Sequence, residues 1–434
     1  MGDTITTTTA AGAGDAAGDA APPSHTRTYP VPQPITPHLT LQAPLSRRGR
    51  GPGLILVLDN YALVEGKGEE VEVDPQPLKK WAEEGFAVVQ MIVPGKVDDG
   101  GEFPLKRALE VLEGCKECEF EKGVGVISYL TRIPYYVEEA ACQHPSIKAL
   151  VSYGGKKFTS LSQSVSTPPP QLLHISGPET PRRESFSIVP NGPSIPTGVV
   201  KTYRYEDAKR DTAWVVPGHE NYHKRSAGLA HTRSLAFLKP LLNGPFFDLE
   251  AIWEEHTKYA FAERNVDETM ATMVEQPYVN HIPTMTGGIG APALKAFYTQ
   301  HLPSANQAST TSTLVSRTLG TDRLVDESVL SLTHTSHVPW LLPGVPPTRR
   351  ELHIPATAVV GVRGDRVCHV HISWDHATVL RQVGLLPESG AVEVEDAGRV
   401  EVRVPVVGAE GARKLVDEGC EESNGLITGS GVVG

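Results

Sequence analysis

Two hydrophobic grammars divide the chain. From residue 51 the apolar positions come in short unbroken runs, beginning with "GPGLILVLDNYAL" (51–63), where Leu54–Leu58 is continuous aliphatic. Unbroken runs of this length suit strands buried on both faces. Between them lie stretches of helical spacing. In "DPQPLKKWAEEGFAVVQMIVPG" (74–95), Leu78, Trp81 and Ala82 share a helical face, Gly85 stops the helix, and Phe86 to Val93 is a second strand. A helix from Phe103 to about Glu113 precedes a strand Val124 to Tyr129. A helix at Tyr136–Gln143 precedes "IKALVSYGG" (147–155). After a Ser/Pro-rich loop (160–170), "QLLHISG" (171–177) is one more strand, and "NYHKRSAGLAHTRSLAFLKPLL" (221–242) is an amphipathic closing helix. Strands alternating with helices predict a parallel sheet covered on both faces.

From Pro245 the order changes. Residues 247–273 predict helix, turn, helix, with Leu249, Ile252, Trp253, His256, Tyr259 and Ala260 on one face. A strand "PYVNHIP" (277–283), a Gly-rich turn and a helix near Ala291–His301 follow. Four long segments of strand character come next: 313–320, 322–335, 351–365 and 366–376. Helices followed by long antiparallel strands predict an α+β unit. The expected organisation is a disordered low-complexity segment (1–45), an α/β domain (46–243), an α+β domain (246–390) and an acidic, Gly-rich tail (391–434) with one helix at Ala409–Glu418.

Composition narrows the function. With 434 residues, two domains are expected. A net charge of −11 and the lack of a basic run argue against nucleic acid, whose binding depends on Lys and Arg clusters. No apolar stretch approaches the ~18 residues of a membrane helix, and residues 1–30 have neither the basic start nor the apolar segment of a signal peptide. Five cysteines, an odd count, fit a reducing compartment, so the cytosol is expected. Cys115 and Cys118 form one CxxC without a second ligand pair. No cofactor and no metal is expected.

Residues 51–242 resemble the dienelactone hydrolase family of α/β-hydrolases. Members carry a cysteine nucleophile in a tight strand-to-helix turn, and the matching stretch here is "VGVISYLTRI" (124–133), which puts Leu130 at that position. A nucleophile elbow needs a lone pair at the strained turn and small flanking residues. Leu130 is a hydrocarbon flanked by Ser128 and Arg132, and no Gly-x-Ser/Cys-x-Gly occurs elsewhere. The resemblance places the family histidine on Thr212, with His219 and His223 nearby, the family acid on Glu179, and a supporting glutamate on Asn60. Loss of single triad members costs about 10⁴–10⁶ in rate, so this domain is expected to be an inactive scaffold, with Ser128 and Ser152 as the alternative nucleophiles.

Residues 246–390 resemble the SnoaL-like branch of the nuclear transport factor 2-like superfamily, cone-shaped α+β barrel domains enclosing a pocket. The helix–helix–strand opening ending in "PYVNHIP" carries this, as does a closing D-x6-Q-x-G at Asp375, Gln382 and Gly384. The fusion of the two domains resembles fungal proteins labelled carboxymethylenebutenolidase-like. In SnoaL-like polyketide cyclases an Asp on the last strand is the acid/base, which implies Asp375 here. Alternation puts His369, His371, Ser373 and Asp375 on one row and Cys368, Val370, Ile372 and Trp374 on the other; which row meets the pocket is left open. His281, His369 and His371 are the candidate helpers. Tyr278, Glu327, His334, Trp340 and His353 are candidate pocket residues. Asp375 is equally placed to cap the helix that follows, and His369-x-His371 with His353 or Glu327 is the one metal alternative. The Pro-rich apolar loop 339–355 is a lid or an interface.

The leading expectation is therefore proton transfer on a small carbonyl-bearing, polyketide- or lactone-like substrate, by cyclisation, isomerisation or hydration/dehydration. A non-catalytic ligand-binding or dimerising protein and a lactone hydrolase are the alternatives. A small molecule is the expected partner, with a homodimer as the expected assembly if one forms.

Overall fold

A computed structural model describes residues 29–62, 73–93, 104–159, 168–179, 199–305 and 309–428. The expectations for residues 1–28, for Phe103 and for most of the Ser/Pro-rich loop fall outside these.

The unbroken aliphatic runs become the centre of an eight-stranded sheet. Its strands are β1 (Gln33–Thr36), β2 (Leu39–Gln42), β3 (Gly53–Leu58), β4 (Ala87–Ile92), β5 (Val124–Ser128), β6 (Ile147–Ser152), β7 (Gln171–Ser176) and β8 (Val200–Tyr205), in the order β1-β2-β4-β3-β5-β6-β7-β8. Strands β3 to β8 pair with one another in parallel, while β1 pairs with β2 and β2 with β4 antiparallel. Alternate residues of β3 feed opposite cores. Leu54, Leu56 and Leu58 pack with Trp81 of α1 (Pro77–Glu83) and Leu235 and Leu238 of α4 (Lys224–Leu241). Ile55 and Val57 pack with Leu105 and Leu112 of α2 (Pro104–Glu113) and Val137 of α3 (Tyr135–Gln143).

Three strands of this sheet were not foreseen. Residues 33–42, expected to be disordered, form the β1–β2 hairpin on the edge of β4. Strands of four residues, one containing Pro34, are too short to show a period, and their order comes from pairing. β8 is an edge strand alternating Lys, Tyr and Arg, without an aliphatic run.

The second sheet has six strands: β9 (Met273–His281), β10 (Thr286–Ile289), β11 (Thr311–Leu319), β12 (Arg323–Thr333), β13 (Glu351–Arg363) and β14 (Arg366–Trp374), in the order β10-β9-β14-β13-β12-β11. All pairs are antiparallel except β14 with β9. The Gly-rich turn expected after β9 is itself the strand β10. Helices α5 (Leu249–Thr257), α6 (Val266–Ala271) and α7 (Ala291–Ala305) accompany this sheet. Ile252, Trp253, Leu294 and Tyr298 bury against Val279, Leu324, Val360 and Val370. A further cluster joins Val338, Leu341 and Leu342 of the β12–β13 loop to Trp374 and to Val379 and Val383 of α8 (His376–Val383). The expected acidic tail is partly ordered: β15 (Ser389–Val394) and β16 (Gly398–Arg403) form a hairpin, and α9 (Glu410–Val416) follows.

The two sheets meet through a buried ionic seam. The turn between β13 and β14 reaches into the eight-stranded unit, where Arg363, 8 % exposed, donates to Asp74 and Glu83, each at 2.9 Å. Asp74 also accepts from Lys80 at 2.6 Å. Glu84 accepts from His231 Nε2 at 2.8 Å and from the Gly364 amide at 3.3 Å. Gly364 has φ +61°, and a Cβ there would lie 2.1 Å from the Glu83 carbonyl oxygen, so only glycine fits.

Burial opposes the charge on Asp74, but Lys80 and Arg363 overcome it and hold its carboxyl well below the usual range. Burial is likewise overcome at Glu84 by the His231 hydrogen bond, while burial lowers His231 and keeps it neutral. All three folded-state values lie below the unfolded ones, so the unfolded chain binds more protons under acid conditions. The stability they contribute is present above the unfolded values, roughly 6.5 for His and about 4 for the acids, and is lost as pH falls. The urea midpoint is expected to drop from pH 7 to pH 5 through His231, and more steeply below about pH 4. Arg363→Ala, which takes from Glu83 its buried cation and leaves Asp74 with Lys80 alone as its cation, is expected to destabilise by about 3–5 kcal/mol in urea titration; a change below about 1 kcal/mol, the range of surface pairs, would show the seam to be ornamental.

Candidate functional site

In the eight-stranded unit two of the positions singled out as degenerate, Leu130 and Thr212, do converge, around Gly154. A Cβ on Gly154 would lie 2.2 Å from the Leu130 carbonyl oxygen and 3.1 Å from Thr212 Cγ2. What converges is inert. Leu130 is 3 % exposed and packs with Ile133 and Val137. It is absent from the described residues with positive φ, and α3 starts only at Tyr135, so the turn lacks the strained geometry of a nucleophile elbow. Ser128 is buried, and its Oγ accepts from the Leu130 amide at 3.2 Å. Ser152 is buried, and its Oγ has no partner among the described residues. Thr212 is buried at the start of a short 3-10 turn, whereas Glu179 and Asn60 are exposed.

Imidazoles do meet serines in this unit. His174 lies 2.9 Å from Ser234 Oγ and 2.8 Å from the Tyr205 hydroxyl, but both His174 and Ser234 are fully buried, and burial lowers the histidine to about 3. His223 Nδ1 lies 2.8 Å from Ser226 Oγ within the first turn of α4. His219 stacks edge-on to Tyr61 at 4.9 Å. Tyr61 donates at 2.6 Å to Asp211, a carboxylate the sequence reasoning missed beside Thr212. Burial works against its charge, yet hydrogen bonds from Tyr61, Asn221 and the Thr212 and Ala213 amides keep the Asp211 carboxyl low. Cys115 and Cys118 are both raised by burial, Cys118 to about 12, which leaves them protonated and unreactive.

In the second unit the sequence left one question open, and packing answers it. A register shift between Val367 and His369 displaces Cys368, after which Val370, Ile372 and Trp374 face the apolar clusters beneath the helices and the β12–β13 loop. His369, His371 and Ser373 therefore lie on the opposite face. The His369 and His371 rings are 4.9 Å apart, and Tyr278 meets His371 edge-on at 5.2 Å.

The D-x6-Q-x-G motif is occupied with helix architecture. Asp375 is the N-cap of α8: its Oδ1 accepts from the Ala377 amide at 3.0 Å and its Oδ2 from Thr378 Oγ1 at 2.5 Å. Gln382 clamps α8 to β13, accepting from the His353 amide at 2.8 Å and donating to its carbonyl at 2.9 Å. Gly384, at φ +83°, ends the helix. Asp375 also borders a cavity of about 260 Å³ with Glu327, Thr357, Ser373, Trp374 and Leu415, under α9. Glu327 accepts there from Ser316 at 3.0 Å. His353 is turned to Ser331, 2.9 Å from its Oγ. His334 is fully buried and accepts from the Thr348 amide at 3.3 Å, holding the end of the β12–β13 loop.

His281 stands apart from this group. It ends β9 on the helix-covered face, 9 % exposed, with ring centroids 5.3 Å from Trp340, 5.8 Å from Phe297 and 6.2 Å from Trp374. Burial lowers its pKa to about 4, so it is neutral near pH 7. Its Nδ1 lies 3.1 Å from the Thr286 hydroxyl. Thr284 donates to the Trp340 carbonyl at 2.7 Å, and Thr286 lies 3.1 Å from Thr284 Oγ1 and 3.4 Å from that carbonyl. When the Thr286 proton goes to either of these, its oxygen accepts from Nδ1–H and the lone pair is on Nε2. The structure thus separates the predicted residues: His281 with Trp340, His369 and His371 with Tyr278, and Asp375 with Glu327. His334 and His353 join none of these. Among the described residues no group of three or more His, Cys, Asp or Glu is placed to hold a metal ion, and the His369–His371 metal alternative is without its third ligand.

No protein-family model matches the chain, and no curated protein matches it. Among solved structures it is similar to TsrD from Streptomyces laurentii, at 15 % identity over 32 % of this chain and 100 % of that one, with a TM-score of 0.27. A putative polyketide cyclase from Acidithiobacillus ferrooxidans matches at 17 % identity over 32 % of this chain and 94 % of its own, TM-score 0.27. A putative SnoaL-like polyketide cyclase from Jannaschia matches at 15 % over 33 % of this chain and 99 % of its own, TM-score 0.26. The neighbours are SnoaL-like and NTF2-like proteins, each covering about a third of the chain. No helix among the described residues is long and apolar enough to cross a membrane.

Proposed function

We propose that the six-stranded unit is a SnoaL-like domain that moves a proton on a small carbonyl-bearing, polyketide-like ligand at the aromatic end of its helix-covered face. His281 is the base. The observation that carries this reading is the arrangement around that one ring: a buried imidazole of lowered pKa, its Nδ1 held 3.1 Å from the Thr286 hydroxyl, beside Trp340, Trp374 and Phe297. With the proton on Nδ1, Nε2 is the base. Flat aromatic walls suit a conjugated ligand, and a base of low pKa takes a proton from carbon when the enolate formed is stabilised. Cyclisation, isomerisation and dehydration all begin with that step. The eight-stranded unit is its scaffold, an α/β-hydrolase-type sheet without the chemistry; its strand order and its antiparallel β2 support the likeness, and Leu130 supports the loss.

The test is deuterium uptake from D2O into the α-carbon of a panel of cyclic and aromatic ketones. The wild type is expected to catalyse exchange, with a rate that is level above about pH 5 and falls as His281 protonates through about 4. His281→Asn is expected to reduce exchange by about 10²–10⁴-fold, the usual worth of a general base, while still quenching Trp340 and Trp374 fluorescence on ligand binding. An unchanged exchange rate in His281→Asn would remove His281 as the base.

A second reading, ligand binding without turnover, is favoured by Asp375, since both of its oxygens serve α8. Asp375→Ala is expected to cost about 1 kcal/mol of stability in urea titration, as for other N-caps, and to leave exchange per folded molecule unaltered. Loss of exchange in a folded Asp375→Ala protein would instead place the reaction in the Glu327–Ser373–Asp375 cavity. Ligand quenching without exchange in the wild type would establish the binding reading.

A further inference from the structure

The His369–His371 face is not open solvent. The ionic seam lays α4 of the eight-stranded unit across it. Thr232 of α4 donates to Asp322 at 2.5 Å, and Arg323 donates to Thr232 at 2.9 Å. Two turns earlier, the Lys224 ammonium lies 5.9 Å from the centre of the Tyr278 ring. Lys224, Gly228 and Thr232 are four residues apart, so they form one stripe on the helix. Gly228 lies between two residues that touch the sheet, yet a Cβ built on it would meet nothing within 4 Å. A gap therefore separates the middle of this stripe from the sheet.

The opposite wall is built for contact rather than for filling. The His369 ring lies flat on Gly361, where a Cβ would sit 2.0 Å from His369 Cε1, so that strand position admits no side chain. His371 Nε2 is buried and has no hydrogen-bond partner among the described residues. A buried polar atom without a partner costs about 1–3 kcal/mol, and a ligand atom would remove that cost. The surrounding charges favour one kind of ligand. Arg323 is neutralised by Asp322, to which it donates at 3.0 and 3.1 Å, and Arg363 by Asp74 and Glu83. Lys224 has no carboxylate partner among the described residues. Burial lowers both histidines first; after it His371, Arg323 and Arg363 act on His369, and Lys224 and Arg323 on His371.

We propose that the gap between the α4 stripe Lys224–Gly228–Thr232 and the sheet residues Tyr278, His369 and His371 is a binding site for the anionic end of a small organic molecule, a carboxylate or a phosphate monoester. Lys224 supplies the charge, His371 Nε2 the hydrogen bond, and the Tyr278 and His369 rings the apolar walls. The site lies on the opposite face of the sheet from His281 and does not depend on the proton-transfer reading.

The test is calorimetric titration of the full chain with benzoate and with phenyl phosphate, which share a ring and differ in the anionic group. Saturable binding of at least one is expected, and the tighter of the two identifies the anion. Lys224→Ala, at an exposed position, is expected to weaken binding about tenfold, or 1.4 kcal/mol. Gly228→Leu, whose Cβ meets nothing within 4 Å, projects its side chain into the gap, and is expected to abolish binding while leaving the helix intact. Ring ¹⁵N resonances of His371 are expected to shift on titration in the wild type and not in Gly228→Leu. Absence of saturable binding by both probes overturns the proposal, as does binding that either substitution leaves unchanged.

Discussion

The rest of the structure depends on Arg363. A guanidinium removed from water costs several kcal/mol unless carboxylates meet it with good geometry, and the partners that do so, Asp74 and Glu83, belong to the other sheet. The requirement is directional. Arg363 reaches them only when the β13–β14 turn enters beside α1, which the absence of a side chain at Gly364 permits. Glu84 makes the same demand through His231 and the Gly364 amide. An apolar contact would tolerate sliding, whereas these pairs select one register between the units. That register lays α4 over His369 and His371, and turns what would otherwise be an outer sheet face into a lined gap.

Chemistry in this chain follows packing more closely than it follows motif. At the turn after β5, the residues brought together at Gly154 are a buried leucine and the methyl of a threonine. At the end of the second unit, Asp375, Gln382 and Gly384 are spaced as a catalytic motif would be, but each serves α8: one caps it, one ties it to β13 and one ends it. His281 lies in the "PYVNHIP" strand, outside the D-x6-Q-x-G motif. Its environment is assembled from β9, β10, α7 and the β12–β13 loop, and the loop expected to be a lid or an interface contributes Trp340 and buries its own leucines.

Both hydrophobic grammars were legible because burial on two faces and burial on one leave different periods in a chain. Leu54–Leu58 and the four long strands after residue 310 show it, and the sequence positions of most helices follow from the same patterns. The elements that escaped are those whose order comes from a partner. Strands β1, β2, β8, β15 and β16 are short or polar and lie at edges or in a lone hairpin, where main-chain pairing does what side-chain burial does elsewhere. Asp211 escaped for a related reason: Tyr61 and Asn221 reach it from distant positions.

The sequence by itself determined the two kinds of layer, the hydrocarbon at position 130 and the two alternating rows of the last long strand, because each is a property of neighbours in the chain. Only the tertiary structure decided which row turns inward. A displaced residue at Cys368 shifts the alternation, and the helices α5 to α7 can bury Val370 and Ile372 but have no partners to offer His369 and His371. The same rule sorted the histidines into a core ring among aromatics, a pair facing the other unit and two that hold loop and strand in place. Where a polar side chain ends up depends on which groups from elsewhere can satisfy it, and those groups are fixed only when the whole chain has folded.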